Sequence, residues 1–398
     1  MRVLVAGYGS RGDVEPLIAL AVALRALGAE ALVCAPPDEE FVKRLGEHGV
    51  PFVPFGRSVR ELVTGPRPAD PPSVAAALVD EWFGPIAAAA RGCDLLVAGG
   101  LVPAGGPSVA ESLGISYRYV TFHGIELPSP HRPPTQRPGK LYPADVTDNR
   151  VLWDLDAENV NALWGAALNT HRAAIGMPPV GNVRDHAYGD SPLLAADPVL
   201  WPQEELTNLE TVQTGAWILP DVRPLAPELV AFLDAGEPPV YVGFGSMPMK
   251  NAKDVGQIAI DAVRVHGRRV LMARGWADLA QIDDSDDCFV VGEVNHQALF
   301  RRVAAVVHHG GGGTTTTAAR AGAPQVVVPQ FVDQPFWARR VAELGIGAAH
   351  DGPTPTFESL STALKTALAP ETRARAAEVA GTVRADGATV AAKLLLVP

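Results

Sequence analysis

The chain has 398 residues, a formal net charge of −11, 47% hydrophobic and 19% charged residues, with 39 glycines and 36 prolines. That composition is globular and rich in turns, and the length points to two domains of ~100–200 residues each. It offers no Lys/Arg run for nucleic acid, no run of 18 apolar residues for a membrane span, and no CxxC pair among its three scattered cysteines, Cys34, Cys93 and Cys288, which argues against a disulfide framework and a zinc site.

Residues 2–7 (RVLVAG) form an apolar run closed by glycine, the pattern of a buried parallel strand. No apolar leader or cleavage motif accompanies it, so a cytoplasmic location is expected. Residues 16–28 predict a helix with Pro16 in its first turn and Gly28 past its end. A strand (30–35), a helix (38–48), a strand (50–55), a helix (73–91), a strand (94–99), a helix (107–114) and a strand (115–122) follow. The alternation breaks over 124–150, where Pro128, Pro130, Pro133, Pro134, Pro138 and Pro143 fall. So long a connection is functional or mobile. A helix over 150–176 and short strands near 193–200 and 211–218 lead to 219–227 (LPDVRPLAP), a stiff linker. Alternation then restarts, with strands at 239–244, 269–273, 288–292, 303–308, 325–328 and 346–349, and closing helices at 357–369 and 371–396. The pattern predicts an α/β chain of two doubly wound domains, with ligands at the carboxyl ends of the strands.

Four segments could carry chemistry. Gly7-Tyr-Gly9-Ser10-Arg11-Gly12-Asp13 fits G-x-G-x-x-G after a strand. As a dinucleotide fingerprint it is weak, because Asp13 would repel a pyrophosphate at the helix N-terminus. Asp13 is then either a helix cap or a base, with Arg11 as a nearby cation. Gly243-Phe-Gly245-Ser246 is a small-residue turn that admits an anion or is an ordinary turn. His308-His309-Gly310-Gly311-Gly312-Gly313 followed by Thr314–Thr317 is the strongest signal. Four glycines expose backbone amides, the threonines add hydroxyls, and the helix dipole favours an anion. A His at the strand end can also donate to a phosphate oxygen. The missing lysine sets the turn apart from a GxxxxGK[ST] P-loop. Asp333-Gln334 can hydrogen-bond neighbouring sugar hydroxyls, or Asp333 is a cap ahead of Pro335. His123, after the fifth strand, borders the same edge, although a lone His is more often structural.

These segments, with LLAADPVL (193–200), VQTGAWILP (212–220), RGWADL (274–279) and GEVNHQALF (292–300), resemble the bacterial glycopeptide-antibiotic glycosyltransferases of the vancomycin group. The likeness is strongest over 1–20 and 193–398. It implies a GT-B fold of two Rossmann-like domains facing across a cleft: an acceptor-binding domain (1–218), a linker (219–227), a nucleotide-sugar domain (228–380) and a C-terminal helix (381–398) returning to the first. It also implies inverting transfer of a hexose, with UDP-glucose or a related sugar favoured over a TDP sugar, to an aromatic aglycone in antibiotic biosynthesis. No metal, cofactor, nucleic acid or membrane is expected to take part, and the enzyme is expected to be a monomer. By the same resemblance Asp13 is the general base. Ser10, Arg11, Ser246, His309, Gly311, Gly312, Gly313 and Thr314 lie at the donor phosphates, Arg274, Gly275, Trp276 and Val294 at the nucleoside, and Asp333 and Gln334 at the sugar. Gly312 stands where the family commonly has alanine, and 124–150 matches no member closely. The alternatives are an NAD(P)-dependent oxidoreductase using Gly7–Gly12, an epimerase of the same fold, or a nucleotide-sugar sensor.

Overall fold

Apolar runs closed by glycine become strands buried on both faces, and the amphipathic stretches between them become the helices that cover those faces. A computed structural model describes residues 1–65, 70–137, 140–244, 252–274 and 285–397. The chain divides into two compact units: Met1–Ala196, Pro202–Leu219 and Ala385–Pro398 in the first, and Asp197–Trp201 and Pro220–Arg384 in the second. Among the described residues no helix is long and apolar enough to cross a membrane.

The first unit is built on β1 (Arg2–Tyr8), β2 (Glu30–Ala35), β3 (Phe52–Pro54), β4 (Leu95–Gly100), β5 (Ser116–Thr121), β6 (Leu193–Leu194) and β7 (Val212–Gln213). All pair in parallel in the order β3-β2-β1-β4-β5-β6-β7. Along β1, Val3 and Val5 enter one core with Leu17, Ile18 and Leu24, while Leu4 and Ala6 enter the other with Trp82 and Val109, the alternation that a strand imposes. The closing helix Gly387–Leu395 adds Ala388, Ala391, Ala392 and Leu395 to the first of these cores.

In the second unit the strands are β8 (Val240–Gly243), β9 (Val270–Ala273), β10 (Cys288–Val291), β11 (Ala305–His308), β12 (Gln325–Val327) and β13 (Gly347–Ala349). They are ordered β10-β9-β8-β11-β12-β13 and also run parallel. Each sheet therefore reverses its strand order once near its middle, at β1/β4 and at β8/β11, and the carboxyl ends there form the ligand crevice of such folds.

Several boundaries differ from expectation. The helix expected over 16–28 spans Arg11–Ala26, because Ser10 and Asp13 close its first turn. Pro16 then sits inside the helix and forgoes one backbone bond. The 73–91 helix is interrupted at Trp82–Ile86 by a π-helical turn containing Pro85, which has no N–H to donate. The strands near 193–200 and 211–218 shrink to two residues each, and Asp197–Trp201, which follows the first of them, falls in the second unit. There Trp201 stacks on Phe336. The last helix is two, Pro370–Ala380 and Gly387–Leu395. Between them the Arg384 N–H donates to the Asp197 carboxylate at 2.7 Å, and a side chain at Gly387 would collide with the Gly215 and Ala216 carbonyls. The proline-rich 124–150 segment opens with a 3-10 turn, Gly124–Glu126. Arg132 organises it, donating to the Gly124, Ile125 and Leu127 carbonyls and to Glu204.

Candidate active site

At the first switch point β1 turns through Gly9 and Ser10 into the helix Arg11–Ala26. Ser10 is the N-cap, and the Asp13 carboxylate folds back so that Oδ2 accepts the Ser10 N–H at 2.8 Å and the Ser10 hydroxyl at 3.2 Å. Capping thus uses one oxygen, as in half of a capping box, and Oδ1 takes no hydrogen bond from the described residues. A side chain at Gly9 would collide with this carboxylate. In a dinucleotide fingerprint the second glycine makes room for a pyrophosphate. Here the protein's own carboxylate fills that room, and the oxidoreductase reading fails on this point. Arg11 Nε donates to Glu15 at 2.7 Å, and Glu15 also accepts from Arg44 at 3.1 Å.

Burial pushes the Asp13 carboxyl up to about 6, with His123 pulling it down and Glu126 pushing it further up. Both residues lie in the turn after β5. The Glu126 carboxylate accepts the Tyr119 hydroxyl at 2.8 Å and the Thr121 hydroxyl at 3.3 Å, and Tyr188 holds its carbonyl at 3.0 Å. Glu126 escaped the sequence reading. Its signal, an acid just past a strand's carboxyl end, acquires meaning only when the strand order places β5 two strands from β1, beyond β4.

At the second switch point β11 ends in His308. This imidazole is wholly buried, with Nε2 2.9 Å from the Gln325 amide oxygen and Nδ1 accepting the Gly310 N–H at 3.1 Å. Burial drives its pKa down to about 3, so it is a neutral brace of the turn, and the imidazole left for a ligand is His309. Burial takes His309 down to about 4, with Asp333 pulling it back up. Gly310 has φ +92°, and a side chain there would press on Val327 at 2.7 Å. One at Gly311 would strike His309 at 2.7 Å, and one at Gly312 would meet Trp337 at 3.1 Å, whereas one at Gly313 would meet none of the described residues. The hydroxyls of Thr315, Thr316 and Thr317 donate back to the carbonyls of Gly311, Gly312 and Gly313 at 3.0, 2.7 and 2.8 Å. Thr314 makes no such bond among the described residues. The helix Gly312–Ala321 therefore starts with an open glycine and an uncommitted hydroxyl at its positive end.

Asp333 and Gln334 open the helix Gln334–Glu343 and have different tasks. Asp333 occupies the N-cap position without capping. Its Oδ2 accepts the Trp337 indole N–H at 2.7 Å. Gln334 is buried, and its amide oxygen accepts the N–H groups of Gln330 at 2.7 Å and Phe331 at 3.3 Å, which shapes the loop from within. Of the nucleoside candidates, Arg274 is exposed after β9 with its N–H bonded to the Val291 carbonyl at 2.9 Å, and Val294 packs partly buried against the core that includes Tyr241 and Val291. Ser246, Gly275 and Trp276 lie outside the described residues.

Glycosyltransferase GtfE of Amycolatopsis orientalis is 57% identical to this chain over 401 residues, covering 99% of it and 97% of the relative. The vancomycin aglycone glucosyltransferase of the same organism is 55% identical, covering 100% and 97%. The chain belongs to the vancomycin-group glycosyltransferases. Residues 3–122 of this glycosyltransferase match the glycosyltransferase family 28 N-terminal domain, and residues 257–394 match the erythromycin biosynthesis protein CIII-like C-terminal domain. A dTDP-epi-vancosaminyltransferase of A. orientalis is 53% identical, covering 95% and 93%. The solved structure of glycosyltransferase VinC in complex with dTDP shares the fold, GT-B, with a TM-score of 0.69 at 22% identity and coverage of 100% and 98%.

Proposed function

We propose that this glycosyltransferase moves a hexose from a nucleoside-diphosphate sugar, UDP-glucose or a related UDP-hexose, to a hydroxyl of a glycopeptide-antibiotic aglycone, with inversion and without a metal. The observation that carries the reading is the Asp13 carboxylate: one oxygen held by Ser10, the other uncommitted, at the carboxyl end of the central strand, with a pKa of about 6. Such a group is a carboxylate at neutral pH yet basic enough to take a proton as the acceptor oxygen attacks. In the proposed step the acceptor O–H gives its proton to Asp13 and its oxygen bonds to the anomeric carbon. The bond to the diphosphate oxygen breaks on the opposite face, and the nucleoside diphosphate leaves with the electron pair. The amides at Gly313 and Thr314, the Thr314 hydroxyl, Ser246 and neutral His309 receive the growing negative charge. A helix N-terminus supplies that stabilisation with fixed dipoles, which is why no metal is invoked. The first unit would bind the aglycone and the second the donor. The relative named as an aglycone glucosyltransferase supports the acceptor class and the glucose donor. A TDP-deoxysugar is the second reading, favoured by the relative named for a dTDP sugar.

The test is a matrix of UDP- and TDP-sugars against the heptapeptide aglycone, with the anomeric configuration of each product read by NMR and each reaction repeated with a chelator. A β-linked glucoside from α-linked UDP-glucose, insensitive to chelation, is expected. Retention of configuration overturns the direct-displacement mechanism, loss of turnover on chelation overturns the metal-free step, and turnover confined to TDP-deoxysugars transfers the donor assignment to the second reading.

A further inference from the structure

The helix Gln334–Glu343 gives up its side-chain cap, because the Asp333 carboxylate turns to the Trp337 indole instead of the free N–H groups of the first turn. A buried indole N–H needs an acceptor, and here a charged one is supplied from the residue four positions earlier. The same indole lies 3.1 Å from where a Gly312 Cβ would be. One ring therefore touches both parts of the donor site, the turn that faces the diphosphate and the acid assigned to the sugar. Asp333 also pulls the His309 pKa up against burial. The brace continues outward. Trp201 meets Trp337 edge to face at 5.1 Å and stacks on Phe336 at 3.6 Å. The segment carrying Trp201 is pinned by Arg340 on the Val199 carbonyl at 2.7 and 3.0 Å and by the Arg384 N–H on Asp197. Immediately before Asp333, Val332 has φ +58°, and it is one of two non-glycine residues at positive φ among the described residues. A β-branched residue is strained there, and such strain collects at ligand sites.

We propose that Trp337 is a positioning residue that couples sugar recognition to diphosphate recognition, flooring the phosphate turn under Gly312 while aiming Asp333 at a sugar hydroxyl, with Trp201 as its brace. The inference rests on the donor-site reading above. It makes the sugar's contribution to affinity depend on an N–H that never touches the sugar.

The experiment measures the affinities of UDP, UDP-glucose, TDP and TDP-glucose, and the thermal midpoint, for the full-length enzyme and for Trp337→Phe, Asp333→Asn and the double variant. Phenylalanine keeps a ring under Gly312 and removes the N–H. The expected result is unchanged nucleoside diphosphate affinity with the sugar's added affinity reduced about tenfold, as for a lost hydrogen bond to a charged group. Asp333→Asn should show the same reduction and the double variant no more. If Trp337→Phe keeps the full sugar increment, or weakens UDP and UDP-glucose by the same factor, the coupling is wrong and the ring is only packing. If Asp333→Asn keeps the increment, the donor-site reading fails instead. Should Trp337→Phe be too unstable to assay, Trp201→Phe makes the same measurement through the brace: a smaller loss of the sugar increment at constant UDP affinity is expected, and no loss overturns the proposal.

Discussion

The turns Tyr8–Asp13 and His308–Thr314 flank the point at which the strand order of their sheets reverses, the first leaving its sheet's first strand and the second its sheet's fourth, and each opens a helix. Both are rich in glycine, and glycine serves opposite ends in them. At Gly9 the missing side chain admits the protein's own carboxylate, whereas at Gly313 it leaves a space that no described residue fills. The first turn thus carries negative charge at a helix N-terminus, and the second presents that terminus unopposed. A glycine pattern encodes close approach, and what fills the approach decides between a base and an anion site.

The largest break in this comparison is Asp13→Asn. Asparagine keeps an oxygen for the Ser10 N–H but cannot take a proton, so turnover should fall ~10²–10⁴-fold while nucleoside diphosphate binding persists. Stability should move the other way. The Asp13 carboxyl sits at about 6 in the fold, above its unfolded value of ~3.9. The folded protein therefore favours the protonated form, and wild-type stability is lost as pH rises from the lower value to the upper. Above that window the charged carboxyl costs up to ~3 kcal/mol, two pKa units, which the asparagine variant is spared. Thermal midpoints of the two proteins should diverge in favour of Asp13→Asn between pH 4 and pH 7, and a constant gap would show that burial does not strain this acid. The same value places the acid limb of wild-type kcat/KM near pH 6.

A second break is Gly313→Ala, at the other turn. Alanine in a helix is better than glycine by about 0.5–1 kcal/mol, and none of the described residues contacts the added methyl. The protein should be as stable or more so. Its donor affinity or turnover should nonetheless drop roughly hundredfold, the scale of one lost transition-state amide at ~2.7–4 kcal/mol. Paired melting curves and donor titrations make the check, and unchanged donor handling would mean that the open space faces no ligand.

Both turns were legible because close approach leaves a local trace: glycines after an apolar run and before a helix. The alternation of strands and helices was legible for the same reason. What the sequence hid depends on partners far along the chain. Pro16 looked like a first-turn proline until the Ser10–Asp13 bonds moved the helix start to Arg11. A continuous final helix looked sound until Arg384 met Asp197 and Gly387 met the Gly215 and Ala216 carbonyls, far earlier in the chain. Gln334 looked equal to Asp333 as a sugar ligand, yet burial gives its amide oxygen to two backbone N–H groups. The raised pKa of Asp13 comes first from its burial, with Glu126 adding to it, and no spacing rule in the first turn predicts either.

The finest test lies within the threonine run, where four identical residues have unequal duties. Thr315, Thr316 and Thr317 return their hydroxyls to the backbone, which removes them as donors to a ligand, while Thr314 does not. Valine has the same shape as threonine without the hydroxyl, so Thr314→Val and Thr317→Val differ only in which hydroxyl is lost. Removing the Thr317 back-bond should change stability by no more than ~0.5 kcal/mol, as at most surface positions, and leave donor binding alone. Removing the Thr314 hydroxyl should leave stability alone and weaken nucleoside diphosphate binding about tenfold, the lower end for a hydrogen bond to a charged group. Equal affinities in the two variants would assign the anion contact to backbone amides alone, and the contrast between the two glycine turns would then rest on Gly313 without help from a side chain.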